Sequence, residues 1–324
     1  MLVWISFALA AEPDLLFVGN SYTFFHDLDA VSAELFRAGG DTPVSARIAD
    51  PGLRWVDHVD RVNAGQPAWT AALKDQRHTW VFLQEQSQIP GFPQTNPEWT
   101  DSRAAATVLD GWARDGGAET VLLMTWGRLA GDPTQGDLYP DYPTMQGRLT
   151  AGYEAVAAGL STPDRPVWIA PAGLAFQAIY DSEIAAGRDP LAAGGPFARL
   201  YEPDGSHPSP SGTFLVACTV YASVTGRSPV GLPGPKGLPA DEVARLEGVV
   251  DALVIGQSVD LAYPWERTPL DTDAPETDAP GDSAANGQRS ECGCQPGAGG
   301  SGAGLFLVAV GLRRSRRLGR SMSA

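Results

Sequence analysis

From about residue 13 to residue 266, short apolar runs alternate with segments whose apolar positions recur at helical spacing. Residues 14–18, 44–49, 80–83 (WVFL), 120–125 (TVLLMT) and 167–170 predict strands. Between them, residues 30–38 place Val31, Leu35 and Phe36 on one helical face and close on Gly39-Gly40. Residues 55–62, 68–74, 103–114 (closed by Gly116-Gly117), 145–160, 212–224 and 241–257 predict further helices. Apolar strands alternating with helices predict an α/β fold, a parallel sheet covered on both faces. Such sheets hold their ligands at the carboxyl ends of the strands, so the segment after each strand is where chemistry is sought.

The 324 residues, 43% hydrophobic, support one sizeable core of about 200–250 residues with extensions at either end. A net charge of −15 argues against nucleic acid or an anionic membrane as partner of the main body. Five arginines crowd at Arg313, Arg314, Arg316, Arg317 and Arg320, so the rest is more acidic still. Cys218 lies in an apolar helical run and reads as a buried core thiol. Cys292-Gly-Cys294 is too tight and isolated for a zinc site, and no disulfide framework is present.

The ends read as targeting segments. Residues 1–11 contain an apolar stretch running into Ala8-Leu9-Ala10, an A-x-A cleavage pattern, and predict a signal peptide. The folded domain is expected over 12–266. Residues 267–302, rich in Pro, Asp, Thr, Gly and Ser and holding the Cys-Gly-Cys, predict a disordered linker. Residues 303–324 comprise an apolar stretch too short to cross a bilayer and an Arg-rich tail.

The densest chemistry lies at Asp204-Gly-Ser-His207-Pro-Ser-Pro-Ser-Gly212. An Asp three residues before a His on a turn can reach its Nδ1 and fix its tautomer. The same segment also reads as an N-cap loop with an exposed His. Ser21 closes the first strand in Gly19-Asn20-Ser21, and in a parallel sheet this end and the Asp204–His207 turn can converge. Ser21 is then a nucleophile that needs a base, and His207 is the best candidate. His26 is a rival without such a carboxylate, its neighbour Asp27 pointing elsewhere; His58 and His78 fall in polar segments and read as surface residues. An oxyanion needs donors. The Ser21 N–H is one, the N–H at Gly52 after the second strand another, and a side-chain amide in Gln84-Glu85-Gln86-Ser87 after the third strand a third. Each of these also reads, alone, as an ordinary loop glycine or polar strand end. The long loop 127–143 carries Asp132, Asp137 and Asp141, which raise calcium, but without EF-hand spacing a solvated loop is the plainer reading. Trp126, Tyr139 and Tyr142 at this loop offer aromatic platforms for sugars, although loop aromatics more often pack. No pattern calls for a metal or cofactor.

Taken together, a Gly-x-Ser block on strand one, a glycine block after strand two, an amide block after strand three and a terminal D-x-x-H resemble the four blocks of the SGNH (GDSL-like) hydrolase superfamily, over roughly residues 14–230. The first block reads GNSY rather than GDSL, and no G-x-N-D is present in the third. The resemblance implies a three-layer, flavodoxin-like α/β/α sandwich and an ester hydrolase with Ser21 as nucleophile, His207 as base and Asp204 as its orienting partner. Gly52 and an amide, Gln86 first and Gln84 second, would complete the oxyanion hole. The last 30 or so residues resemble the MYXO-CTERM sorting tags of myxobacterial surface proteins, which implies export and handling of the tail by sorting machinery at the membrane. The expected activity is a metal-free, cofactor-free serine esterase acting outside the cytoplasm, with an acetylated glycan as the guessed substrate. A non-catalytic glycan-binding protein and an O-acyltransferase are the alternatives.

Overall fold

The computed structural model describes residues 12–267. The signal peptide expected at 1–11, Cys292 and Cys294, and the expected linker (beyond Arg267) and tail lie outside the described residues.

In chain order the principal elements are β1 (Asp14–Gly19), α1 (Ser21–Phe24), α2 (Leu28–Ala38), β2 (Val44–Ala49), α3 (Trp55–Asn63), α4 (Pro67–Thr70), β3 (Trp80–Leu83), α5 (Pro97–Asp115), β4 (Glu119–Leu123), α6 (Tyr142–Leu160), β5 (Trp168–Ala170), α7 (Ala172–Ala185), α8 (Pro210–Thr225) and α9 (Ala240–Val250). The five strands form one sheet in the order β2-β1-β3-β4-β5. Every pairing is parallel, with Leu15 opposite both Ser45 and Trp80, and Val121 opposite Trp168. This is the flavodoxin-like order, and it puts the topological switch point between β1 and β3. There the connections after β1 and β3 leave toward opposite faces, which opens a crevice at the carboxyl ends of these two strands.

Alternation along β1 divides the core. Leu15 and Phe17 face a layer built with Phe36 of α2, Phe176 of α7, Phe214 of α8 and Leu246 of α9. Leu16 and Val18 face the other layer, with Trp55 of α3, Leu109 of α5 and Tyr153 of α6. α8 is buried on all sides from Ser211 to Val224, Cys218 included, which fits a run with no polar face.

Among the elements the sequence pattern misses or shortens, two have a clear local cause. α5 starts at Pro97, not residue 103, because Asn96 accepts the Glu98 N–H at 2.8 Å and Pro97 opens the first turn; the polar residues that follow mask the start. α7 is absent from the pattern because its apolar residues surround the axis and no side chain caps it. The surface reading of His58 and His78 is also corrected. His58 is fully buried, and the His78 side chain is 5% exposed, bonded to Asp14 Oδ1 (2.7 Å) and the Ala72 carbonyl (2.9 Å). Both use ring nitrogens to satisfy backbone or carboxylate groups inside the fold.

α6 packs against the turn Ile89–Gly91 after β3 through Gly152, where an added Cβ would lie 1.7 Å from the Pro90 carbonyl oxygen. Gly152→Ala is therefore expected to lose about 1–3 kcal/mol, a fall in Tm of roughly 2–10 °C. Gly147→Ala on the exposed side of the same helix, where a Cβ meets nothing, should instead gain up to about 1 kcal/mol. Calorimetric melts of both variants check this; equal shifts would contradict the packing account.

Candidate active site

Three strand ends are drawn together by Asn20. Its N–H donates to Gln84 Oε1 after β3 (3.0 Å), its Nδ2 donates to the Leu53 carbonyl after β2 (2.9 Å), and its Oδ1 accepts the Tyr22 N–H to cap α1 (3.0 Å). Gln84 Oε1 takes a second bond, from the Thr23 hydroxyl (2.8 Å). Gly19 is small for a steric reason: a Cβ there would sit 2.2 Å from Thr23 Oγ1 and 2.5 Å from Gln84 Oε1. Its carbonyl accepts from His58 Nε2 (2.9 Å), while His58 Nδ1 accepts the Trp69 indole N–H (2.9 Å). That ring is thereby fixed as a neutral tautomer. Burial, only partly offset by the Gly19 carbonyl, pushes its pKa down to about 4.

Ser21 follows this joint. Its hydroxyl lies 2.8 Å from His207 Nε2, and His207 Nδ1 lies 2.5 Å from Asp204 Oδ2. Asp204 Oδ1 also accepts the N–H groups of Ser206 (2.9 Å) and His207 (3.0 Å), so the turn that carries the acid also orients it. Gly205, at φ 68°, supplies the left-handed residue this turn requires. Burial raises the Asp204 carboxyl, but bonds from His207 and the two N–H groups outweigh it and leave it below the usual carboxylate value. An ionised Asp204 accepts Nδ1–H, so Nε2 is left to accept from the Ser21 hydroxyl. Phe25 stacks on the imidazole (centroids 4.2 Å apart, planes 15°), and Tyr22 meets it edge-on.

Ser21 and His207 open onto a cleft of about 150 Å³ whose walls include Gly52, Gln86, Ser87 and Arg128. Gly52 adopts φ 69° and an added Cβ there would touch nothing, so it is required by backbone conformation, not by space. Gln86 lines the cleft; its Oε1 accepts the Gln88 N–H (2.8 Å) and one Nε2 hydrogen goes to Gln88 Oε1 (3.3 Å), which leaves its second amide hydrogen as a donor. Gln84 does not line it: it is 1% exposed, its oxygen is taken by Asn20 and Thr23, and its Nε2 is bonded to the Glu85 carbonyl. Gln84 is thus a brace and not a free donor, which corrects its place among the expected oxyanion groups. His26 turns away, its Nε2 2.6 Å from Glu202 Oε1, and Asp27 pairs with Arg47.

The long loop is solvated over residues 133–137, Asp137 included, as expected, but not at Asp132. Asp132 is buried, paired with Arg128 (2.9 Å) and bonded to Gln88 and to the Thr134 N–H and hydroxyl. Asp141 caps α6. Among the described residues no group of three metal-ligating side chains occurs. Trp126, Tyr139 and Tyr142 are at most 1% exposed and are no sugar platforms. Trp126 is sandwiched between Tyr22 and Phe176, Tyr142 lies against Phe197, and the Tyr139 hydroxyl donates to the Gln88 carbonyl (2.6 Å). Sequence reasoning missed Arg128, Ser87, Phe25 and the interior role of His58. Phe25 lay close to Ser21 in the same block, whereas nothing local marks Arg128 or His58.

Neither a protein-family model nor a curated protein matches the chain. Solved structures do. A DUF4886 family protein from Bacteroides uniformis is 18% identical, with a TM-score of 0.60 over 76% of this chain and 97% of that one. A proposed SGNH hydrolase from Slackia heliotrinireducens is 24% identical (TM-score 0.49; 65% of this chain, 97% of that one). An acetylxylan esterase from Geobacillus stearothermophilus, solved as a catalytic mutant, is 16% identical (TM-score 0.43; 65% and 94%). The first of these carries the likeness of fold.

Two outcomes follow from the joint beneath Ser21. Asn20→Asp removes the donor to the Leu53 carbonyl and sets a carboxylate against it, so a loss of about 1–3 kcal/mol is expected in urea unfolding. His58 gives a pH signature. Unfolded His binds its proton near 6.5 and the folded ring only near 4, so the unfolded state gains protons across that window and stability falls as pH drops through it. Glu85, raised to about 7 by burial, works the other way between about 7 and 4.5, and masks part of this in the wild type. The comparison is therefore with His58→Gln: the wild-type advantage should shrink by up to roughly 3 kcal/mol from pH 7 to pH 4. A pH-independent difference would contradict the buried neutral ring.

Proposed function

We propose that this protein is a serine esterase acting on a small acyl ester, with an O-acetyl group on a carbohydrate as its substrate. One observation carries the reading: the unbroken hydrogen-bonded chain from the Ser21 hydroxyl through His207 to Asp204 at the edge of a cleft. The cleft's small volume supports a short acyl group. The A-x-A pattern at residues 8–10 supports a site of action outside the cytoplasm.

In this mechanism Ser21 Oγ attacks the ester carbonyl carbon while its proton passes to His207 Nε2. Asp204 stabilises the resulting imidazolium. The negative charge on the former carbonyl oxygen is held by the N–H groups of Ser21 and Gly52 and by the Gln86 amide. Collapse breaks the ester C–O bond, and the alcohol leaves with the proton from His207. Water, deprotonated by His207, then attacks the acyl-Ser21 ester, and the carboxylic acid departs as Ser21 regains its proton.

With p-nitrophenyl acetate and acetylated xylo-oligosaccharides as substrates, Ser21→Ala and His207→Ala should each lower kcat/KM by about 1000-fold or more. Gln86→Ala should lower it by about 10- to 100-fold. Circular dichroism controls for folding. A folded Ser21→Ala variant that keeps its turnover, or a folded wild type that cleaves no member of the series, would contradict the esterase.

A further inference from the structure

We propose that Glu85 is a positioning residue that holds both loops carrying the oxyanion donors, an inference that rests on the esterase reading. The Glu85 carboxylate is fully buried and, among the described residues, no arginine or lysine bonds to it. Its Oε1 accepts two backbone N–H groups, from Trp55 (2.9 Å) and Gln86 (2.7 Å), and its Oε2 accepts the Ser102 hydroxyl of α5 (2.5 Å). Trp55 ends the loop that contains Gly52, and Gln86 is the amide residue of the cleft. One carboxylate therefore sets the second-strand loop against the third-strand loop.

The loop holding Gly52 is pinned at two points beyond that glycine. Asn20 Nδ2 holds the Leu53 carbonyl from the β1 side, and Glu85 Oε1 holds the Trp55 N–H from the β3 side. With Leu53 and Trp55 both fixed, the Gly52 N–H has little freedom to move relative to Ser21. An ionised Glu85 accepts three bonds at once, each charge-assisted and so roughly twice as strong as its neutral counterpart, and the protonated acid keeps the two N–H bonds while its O–H donates to Ser102 Oγ. Burying a carboxyl group is costly, and a side chain present only to fill the core would not need to be polar. A glutamine retains part of the function: its oxygen can take the two N–H groups while its NH₂ donates to Ser102 Oγ.

The test combines kinetics with amide hydrogen exchange on the full chain. Glu85→Ala should lower kcat on p-nitrophenyl acetate by about 10- to 100-fold with KM changed by less than about threefold, because misplaced oxyanion donors are felt in the transition state. Exchange at the Trp55 and Gln86 amides should quicken by about tenfold or more, while exchange in β4 stays unchanged. Glu85→Gln should return kcat to within about fivefold of the wild type. Where Glu85→Ala fails to fold, Ser102→Ala serves: it leaves Oε2 unpaired and should lower kcat by about threefold or more at constant KM. A Glu85→Ala protein that melts lower but keeps its kcat, a glutamine variant as impaired as the alanine, or unchanged exchange at Trp55 and Gln86 would overturn the proposal. If the wild type hydrolyses no ester the esterase reading fails, and the exchange arm still decides whether Glu85 fixes the loops.

Discussion

The side-chain oxygen of Gln84 is the joint on which the rest of the site depends. Buried at the switch point, it accepts from the Asn20 N–H and the Thr23 hydroxyl, and so sets the height and angle at which the chain leaves β1. A buried acceptor left unpaired costs about 1–3 kcal/mol, so the arrangement is tightly determined. With Thr23 it imposes a glycine at position 19, since any Cβ would fall against the Thr23 hydroxyl and the Gln84 oxygen. It also fixes Asn20, whose remaining groups cap α1 and hold the Leu53 carbonyl. Ser21 inherits its position from this joint, and among the described residues its hydroxyl bonds to His207.

The other half of the site is built on a different plan. The Asp204–His207 turn is self-contained: the carboxylate takes both the imidazole and the backbone N–H of its own turn. It arrives at Ser21 because Tyr201 and Ser209 are tied to neighbouring loops, the Tyr201 hydroxyl donating to the Gly127 carbonyl (2.7 Å) and the Ser209 N–H to the Leu200 carbonyl (2.9 Å). A rigid strand end and a preassembled turn therefore meet. Phe25 against the imidazole then limits how far His207 can swing.

Much of this was legible in the sequence, for reasons that differ by residue. The strands other than the edge strand β2 showed as apolar runs because both faces of the sheet are covered there. Ser21, Gly52, Gln86 and the Asp204–His207 turn stood out because each follows a strand end or lies within a few residues of its partner. α7 was hidden because it lacks a polar stripe, and the start of α5 because its cap is followed by surface residues. The roles of Gln84, Glu85 and His58 could not be read locally: each acts through partners on other elements, Glu85 through Trp55 and Ser102 and His58 through Gly19 and Trp69. The aromatic residues of the long loop misled because a side chain that suits a sugar also suits a core, and only packing decides between them.

The central claim is that Ser21 is an activated nucleophile. The most direct measurement is reaction of the folded protein with a fluorophosphonate, followed by intact-mass analysis and peptide mapping. The account predicts one adduct, on Ser21, formed in the wild type and abolished in His207→Ala. A folded wild type that acquires no adduct, or that carries it on another residue, would contradict the account.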